Sequence, residues 1–122
     1  MLLMLSGSAR GIGQGVAYSF AKAGATVACF DLRNINDTVE LLKKEGVKAK
    51  GWELDATDVD AVGKAIDEVE KDLGPIAVLV NCAGIVGSRP IFMENYKNFW
   101  KTMEVNCGAV SYCFGDGSDN RL

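Results

Sequence analysis

The chain has 122 residues, a formal net charge of −3 and no histidine. This length suits one domain, the acidic balance disfavours nucleic acid or an anionic membrane as partner, and the lack of histidine excludes Ser-His-Asp and Cys-His catalysis and disfavours a zinc site. No apolar run is long enough for a transmembrane helix, and residues 1–5 are too few for a secretory signal, so we expect no membrane partner.

The first elements alternate between strand and helix. Residues 2–5 are apolar and predict a buried strand, which leads through a glycine-rich loop into a helix over 14–23. Gly24 follows that helix as a left-handed cap. The next strand, 26–30, is apolar at nearly every position, which is typical of a parallel sheet covered on both faces.

The same alternation continues along the chain. Asp37 and Glu40 have the spacing of a capping box, and Asp58 stands where it can cap the following helix. The predicted elements are a helix over 37–45, a strand over 47–54, a helix over 58–73, a strand over 76–80 and a helix over 95–110. This order predicts an α/β protein with a doubly wound parallel sheet of the Rossmann type, cut off after about four strands and four helices.

Three glycines, Gly7, Gly11 and Gly13, separate the first strand from the first helix. In a dinucleotide-binding βαβ unit, such glycines allow the tight turn, the approach of the pyrophosphate and the packing of the helix on the strand. Free N–H groups and the helix dipole at this point favour an anion, so Arg10 and Ile12 are also candidate contacts. An ordinary strand-to-helix turn is the alternative interpretation.

An acidic residue, Asp31, ends the second predicted strand and is followed by Leu32. A carboxylate there can accept hydrogen bonds from an adenosine ribose. A 2′-phosphate about 4 Å away would cost on the order of 4 kcal/mol at an effective dielectric of 20, which favours NAD over NADP. Arg10 and Arg33 are counter-signals, because either cation could reach a 2′-phosphate. A solvated carboxylate at a strand end is the alternative for Asp31.

Over about residues 2–113, the order of motifs resembles the short-chain dehydrogenase/reductase family. The matching motifs are the G-x-x-x-G-x-G loop, Asp55 with Ala56, the run Asn81-Cys82-Ala83-Gly84, and the pair Val105-Asn106. The resemblance implies an NAD-dependent oxidoreductase that acts on a small alcohol or ketone. It further implies cofactor contacts for Asp55 at the adenine ring, and for Ala56, Asn81, Ala83, Gly84 and Val105 elsewhere along the cofactor.

Asn106 has a second implied role in this family, because it would hold a water in a proton relay and support the catalytic lysine. By helical spacing it shares a face with Phe99 and Met103, so we expect a buried amide that must find hydrogen-bond partners. The alternative is a purely structural asparagine that bonds neighbouring backbone groups.

The family's catalytic serine and Y-x-x-x-K pair would follow the last predicted helix. The one Y-x-x-x-K match, Tyr18 to Lys22, lies in the first helix, and its position excludes it from catalysis. We therefore expect residues 1–113 to be an NAD-binding half-domain and 114–122 an irregular tail, in a truncated isoform or fragment that binds cofactor without turnover. A methyltransferase-like domain is a further alternative, which the Asn81-to-Gly84 run and Asn106 disfavour.

Two further expectations concern the surroundings of the protein. The strand over 76–80 would form a bare apolar sheet edge, which favours self-association. The four cysteines lie in apolar segments without paired spacing, so we expect buried reduced thiols in a cytoplasmic protein. These cysteines are Cys29, Cys82, Cys107 and Cys113.

Overall fold

Four parallel strands form one sheet in the order β3-β2-β1-β4 in this computed structural model, which describes residues 1–87 and 90–114. The strands are β1 (Leu2–Ser6), β2 (Thr26–Asp31), β3 (Ala49–Glu53) and β4 (Val78–Asn81). Ser6 at the end of β1 pairs with Phe30 on one side and Asn81 on the other. The carboxyl ends of these strands therefore meet at the same edge of the sheet.

Helices follow each strand, as the alternation predicts. They are α1 (Gly11–Lys22), α2 (Asn36–Lys43), α3 (Val59–Leu73), α4 (Tyr96–Met103) and α5 (Ala109–Phe114), with a 3-10 turn at Ile91–Met93 and a π-helical turn at Glu104–Gly108. The Rossmann-type fold class is thus confirmed. Among the described helices, none combines the length and apolarity needed to cross a membrane.

Both faces of the sheet are buried, which explains why β1 and β2 are apolar at almost every position. On one face, Leu3 and Leu5 pack with α1 and α2 through Ala17 and Leu42. The other face is covered mainly by α3. Its cluster contains Leu2, Met4, Ala28, Phe30, Val62, Ala65, Ile66, Val69 and Cys113. Because side chains alternate along a strand, a buried five-residue strand contributes side chains to the clusters on both faces.

The last predicted helix, 95–110, is wrong as a single element. A π-helical turn at Glu104–Gly108 divides it into α4 and α5. Phe99 and Met103, which were expected to face inward, are 50% and 42% exposed. The main neighbour of α4 among the described elements is the π turn that follows it, so no other described element packs extensively on this apolar face. The predicted tail beyond Phe114 lies outside the described residues.

Of the two predicted caps, only Asp58 acts as one. Its Oδ1 accepts the N–H of Ala61 at 3.0 Å, at the start of α3. Asp37 caps nothing, because α2 already begins at Asn36 and Asp37 lies inside the first turn. The capping-box prediction there is wrong, since a cap must precede the first helical residue.

This difference predicts unequal effects on stability. Asp58→Ala should lower the free energy of unfolding by about 1 kcal/mol, because it leaves a helical N–H without an acceptor. Asp37→Ala should lower it by only about 0.3 kcal/mol, through loss of charge near the helix dipole. Urea unfolding followed by circular dichroism measures both, and equal losses would refute the assignment of the caps.

Candidate functional site

A crevice opens at the carboxyl ends of β1, β2 and β4, where the strand order changes direction beside β1. In open α/β sheets, ligands bind at such a switch point. The crevice has a volume of about 960 Å³. Its walls come from the loop after β1, the ends of β2 and β3, the segment after β4 and the helical stretch that contains Lys101 and Val105.

The three glycines of the loop have three different surroundings. Gly7 has a φ of +69°, and a Cβ there would lie 2.6 Å from the backbone nitrogen of Ala83. A Cβ on Gly13 would overlap the carbonyl oxygen of Gly7, so this glycine allows α1 to pack against the loop. Gly11 has a φ of +59° with nothing within 4 Å of its Cβ position. The space beside Gly11 in the crevice is therefore open.

The amino end of α1, which carries the positive end of the helix dipole, faces this crevice. Helix α1 begins at Gly11, three residues before the predicted start, so Gly11 and Gly13 belong to its first turn. Arg10 precedes it in extended conformation, no side chain caps the helix, and no acidic residue lies in the first turn. The first N–H groups of a helix have no intrahelical acceptor. The geometry thus suits an anionic ligand such as a phosphate.

Asp31 is tied to the glycine loop. Its Oδ2 accepts the N–H of Ala9 at 2.9 Å, and its Oδ1 accepts the N–H of Leu32 at 2.7 Å. The side chain is half-buried at the crevice wall rather than surrounded by solvent. The carboxylate is thus held by two backbone donors at the edge of the anion-binding end of the crevice.

Asp55 forms the wall beyond β3. The backbone N–H and the hydroxyl of Thr57 both donate to its Oδ1, at 2.9 and 2.7 Å. These two bonds, with a smaller contribution from the charge of Lys101, hold the pKa of Asp55 below its usual value. Asp55 is therefore an ionised acceptor at neutral pH, and Lys101 lines the same crevice.

Ser6 joins the carboxyl end of β1 to the segment that follows β4. Its buried hydroxyl oxygen accepts the N–H groups of Cys82 and Ala83, at 3.2 and 3.3 Å. These bonds fix the segment after β4 against the glycine loop, where Gly7 leaves no room for a side chain. No motif in the sequence predicted this role for Ser6. Its position at the junction of β1 and the glycine loop is the one sequence feature that could have indicated such a role.

Asn106 corrects an expectation, because its side chain is exposed rather than buried. The amide nonetheless has both partners that it needs. Its Oδ1 accepts the N–H of Ile85 at 2.8 Å, and its Nδ2 donates to the carbonyl of Ile85 at 2.9 Å. Asn106 thus joins the π-helical turn to the segment after β4. These bonds to backbone agree with the structural alternative, and they are also compatible with the implied catalytic role.

Most of the predicted cofactor-binding residues come together in the crevice. Its lining includes Gly7, Arg10, Gly11, Ile12, Gly13, Asp31, Leu32, Asp55, Ala56, Ala83, Gly84 and Val105. Asn81 and Asn106 lie outside that lining: Asn81 is the last residue of β4, paired with Ser6. Sequence reasoning assigned no site role to several other lining residues, namely Ser6, Ala9, Phe30, Asn34, Asp37, Leu54, Cys82, Ile85 and Lys101.

The Tyr18–Lys22 pair lies away from the crevice, as its place in α1 requires. The Lys22 Nζ is 5.7 Å from the centre of the Tyr18 ring. A hydrogen bond to Glu45 raises the pKa of Tyr18 above its ordinary value, which is the opposite of what a phenolate base needs. Within the described part of the chain, no group of three or more His, Cys, Asp or Glu side chains is arranged to hold a metal ion.

The cysteines are not all buried. Cys29 and Cys113 are buried, and burial raises the pKa of Cys29 to about 11 and also raises that of Cys113. Cys82 is half-buried on the crevice wall, and Cys107 is exposed on the π-helical turn. All four are free thiols, and the prediction of burial is wrong for Cys107 because its face of the helix is uncovered.

Comparison with known proteins assigns this architecture to a family. The sequence profile of the family described as short chain dehydrogenase matches residues 2–118. A short chain dehydrogenase from Pseudocercospora fijiensis is 39% identical over 110 residues, which are 87% of this chain and 36% of that protein. Sorbose reductase from Candida albicans is 37% identical over 113 residues, which are 89% of this chain and 40% of that protein.

Solved structures agree with this fold. A dehydrogenase/reductase from Sinorhizobium meliloti 1021 matches with a TM-score of 0.89 and 30% identity, over 93% of this chain and 46% of that one. A short chain dehydrogenase from Mycobacterium paratuberculosis bound to NAD matches with a TM-score of 0.90 and 20% identity, over 93% of this chain and 47% of that one. The chain spans less than half the length of these relatives. It belongs to the short chain dehydrogenase family.

Proposed function

We propose that this chain binds NAD(H) in the crevice and forms the cofactor-binding part of an oxidoreductase that acts on a small alcohol or ketone. The observation that carries the proposal is the link between Asp31 and the glycine loop. One carboxylate is held beside an open, positively polarised helix end, so a ribose acceptor and a phosphate cradle lie in one wall.

The residues present fit a dinucleotide. The open space at Gly11 and the free N–H groups of the first turn of α1 suit the pyrophosphate. Asp31 would accept hydrogen bonds from the ribose hydroxyls. Asp55 would accept a hydrogen bond from the adenine amino group through Oδ2, its second oxygen. When bound, the nicotinamide ring supplies the carbon that accepts or donates the hydride. The chain's own residues hold and orient the cofactor.

The same geometry favours NAD over NADP. Asp31 lines the crevice where the adenosine ribose would lie in this proposal, so a 2′-phosphate there would meet a carboxylate charge. Arg10 and Arg33 also line the crevice and provide positive charge. They can offset part of this repulsion, so we expect a preference for NADH rather than exclusion of NADPH.

We also propose that the 122 residues bind the cofactor without turning over an alcohol. No tyrosine lies in the crevice lining of the described chain, and Tyr18 is outside it with a raised pKa. The relatives support the substrate class, because sorbose reductase is named for the reduction of a keto sugar. The substrate itself would be bound by parts that the relatives have beyond the matched length.

A titration of the whole chain against NADH tests the proposal. NADH fluorescence should rise and saturate, and alcohol oxidation with NAD should stay at the buffer rate. S-adenosylmethionine, the ligand of the methyltransferase alternative, should not displace NADH from the crevice, whereas NADPH should displace it weakly. Saturable binding of S-adenosylmethionine without NADH binding would overturn the assignment.

Cysteine labelling locates the ligand independently of fluorescence. NADH should slow the alkylation of Cys82, which lies on the crevice wall, and leave that of exposed Cys107 unchanged as an internal control. Cys29 and Cys113 should react only after unfolding, because both are buried thiols with raised pKa values. Peptide mass spectrometry reads all four sites, and equal rates at Cys82 with and without NADH would contradict binding there.

Self-association is a second expected property of the chain. Strand β4 is an edge strand of the described sheet, and α4, which comes later in the chain, leaves Phe99 and Trp100 each 50% exposed. We propose that a second copy of the chain covers these surfaces, because unpaired strand groups and apolar patches favour pairing. Sedimentation velocity should show dimers or larger species that grow with concentration, and a monomer throughout would contradict this.

A further inference from the structure

A buried polar cluster lies beneath the glycine loop, outside the crevice lining. It consists of Ser8, Gln14 and Thr38, and both Ser8 and Thr38 are 0% exposed. Thr38 belongs to α2, far from the loop in sequence. Gln14 is half-buried, whereas Ser8 and Thr38, together with Ser6, are the buried polar residues of the described chain.

The hydroxyl of Thr38 is the centre of this cluster. Its Oγ1 lies 3.0 Å from the carbonyl oxygen of Ser8 and 3.2 Å from that of Ala9, so its single proton is shared between the two acceptors. The same oxygen accepts a hydrogen bond from the Gln14 Nε2 at 2.9 Å. Gln14, at the start of α1, therefore fixes the direction in which the Thr38 hydroxyl donates.

Holding these two carbonyls sets the direction of the next two N–H groups. A trans peptide is planar, so the carbonyl of one residue and the N–H of the next point to opposite sides. With the Ser8 carbonyl turned toward Thr38, the Ala9 N–H points the other way and donates to Asp31 at 2.9 Å. With the Ala9 carbonyl turned inward, the Arg10 N–H likewise faces away from α2.

We propose that Thr38 is a positioning residue for the dinucleotide site, which acts through the loop without touching the ligand. Its hydroxyl orients the loop so that Asp31 and the amide groups near Arg10 are arranged for binding before the ligand arrives. This inference rests on the proposed NAD(H) function. Thr38 lies in α2, belongs to none of the motifs in the sequence and does not line the crevice.

The test compares Thr38→Val, which keeps the shape and removes the hydroxyl, with Thr38→Ser, which keeps the hydroxyl. The NADH Kd should rise roughly tenfold in T38V, because a buried hydrogen-bond centre is lost, and stay within about threefold of wild type in T38S. Thr26→Val, a half-buried threonine at the start of β2, is the matched control and should leave the Kd unchanged.

A double-mutant cycle separates positioning from general loss of structure. In an Asp31→Asn background, T38V should weaken NADH binding much less than in wild type, because the two residues act through the same loop. An additive effect, an unchanged Kd in T38V, or equal weakening in T38V and T38S would overturn the inference.

If T38V does not fold, Gln14→Leu decides the question. This variant removes the donor that directs the Thr38 hydroxyl and keeps a good helix former. It should weaken NADH binding about threefold, and an unchanged Kd would overturn the inference. A wild-type chain that binds no NADH contradicts the proposed function and this inference with it, whereas normal binding by both wild type and T38V contradicts the inference alone.

Discussion

Replacing Gly13 by alanine should destabilise the fold and abolish NADH binding. A Cβ at this position would overlap the carbonyl oxygen of Gly7, which is backbone and cannot rotate away. Overpacking typically costs about 1–3 kcal/mol, and a clash with backbone belongs at or above the top of that range. Urea unfolding gives the stability and a fluorescence titration gives the binding.

Gly15 provides a matched control two residues along the same helix. It is exposed, and a Cβ there would meet nothing within 4 Å. Gly15→Ala should therefore raise the free energy of unfolding by about 0.5–1 kcal/mol, the ordinary gain of alanine over glycine in a helix. If the two variants changed stability in the same direction, the close packing of α1 on the loop would be wrong.

Replacing Asp31 by asparagine should weaken NADH binding by about 10- to 100-fold, the loss typical of hydrogen bonds to a charged acceptor. Asparagine keeps the size of the side chain but lacks the charge, and it can no longer offer two acceptor oxygens to Ala9 and Leu32. NADPH binding should weaken less or improve, because the repulsion of a 2′-phosphate is removed.

The control for this substitution is Asp60→Asn, which removes a carboxylate from an exposed position in the first turn of α3. It should leave the affinities for both cofactors unchanged. Equal affinities of Asp31→Asn and wild type for NADH would remove Asp31 from the proposed site. A parallel loss for NADH and NADPH would mean that the residue supports the loop without selecting the cofactor.

The sheet and its first three helices could be predicted because local pattern and global burial agree there. Strands β1 and β2 are apolar on both faces, and a chain with such strands must cover both sides of a sheet. The positions of the glycine loop and of Asp31 at the crevice could also be predicted, because both follow strands whose carboxyl ends meet at one edge of the sheet.

The last helical segment shows where this agreement ends. Its apolar spacing predicted one helix with an inward face, but exposure depends on whether another element covers that face. Phe99 and Met103 remain partly exposed, Asn106 lies at the surface, and a π-helical turn interrupts the helix. Nothing in a local window encodes the presence or absence of a covering element.

The support of the loop was also invisible in the sequence. Thr38 donates to the carbonyls of Ser8 and Ala9, which are 30 and 29 positions away in the chain, and Ser6 accepts a hydrogen bond from the N–H of Cys82, which is 76 positions away. Side chain to backbone bonds of this range carry no periodicity and no motif, so they emerge only from the packed structure.

Chemical-shift mapping of the amide groups with NADH tests the location of the site most directly. Shifts in a nitrogen–proton correlation spectrum should be largest for Gly11, Leu32, Ala56 and Ala83, which lie on different elements and meet only at the crevice. The chemical shifts of amides at the opposite end of the strands, such as that of Gly46 before β3, should not change. An unperturbed spectrum at millimolar NADH, or shifts concentrated away from the crevice, would contradict a dinucleotide site at this edge.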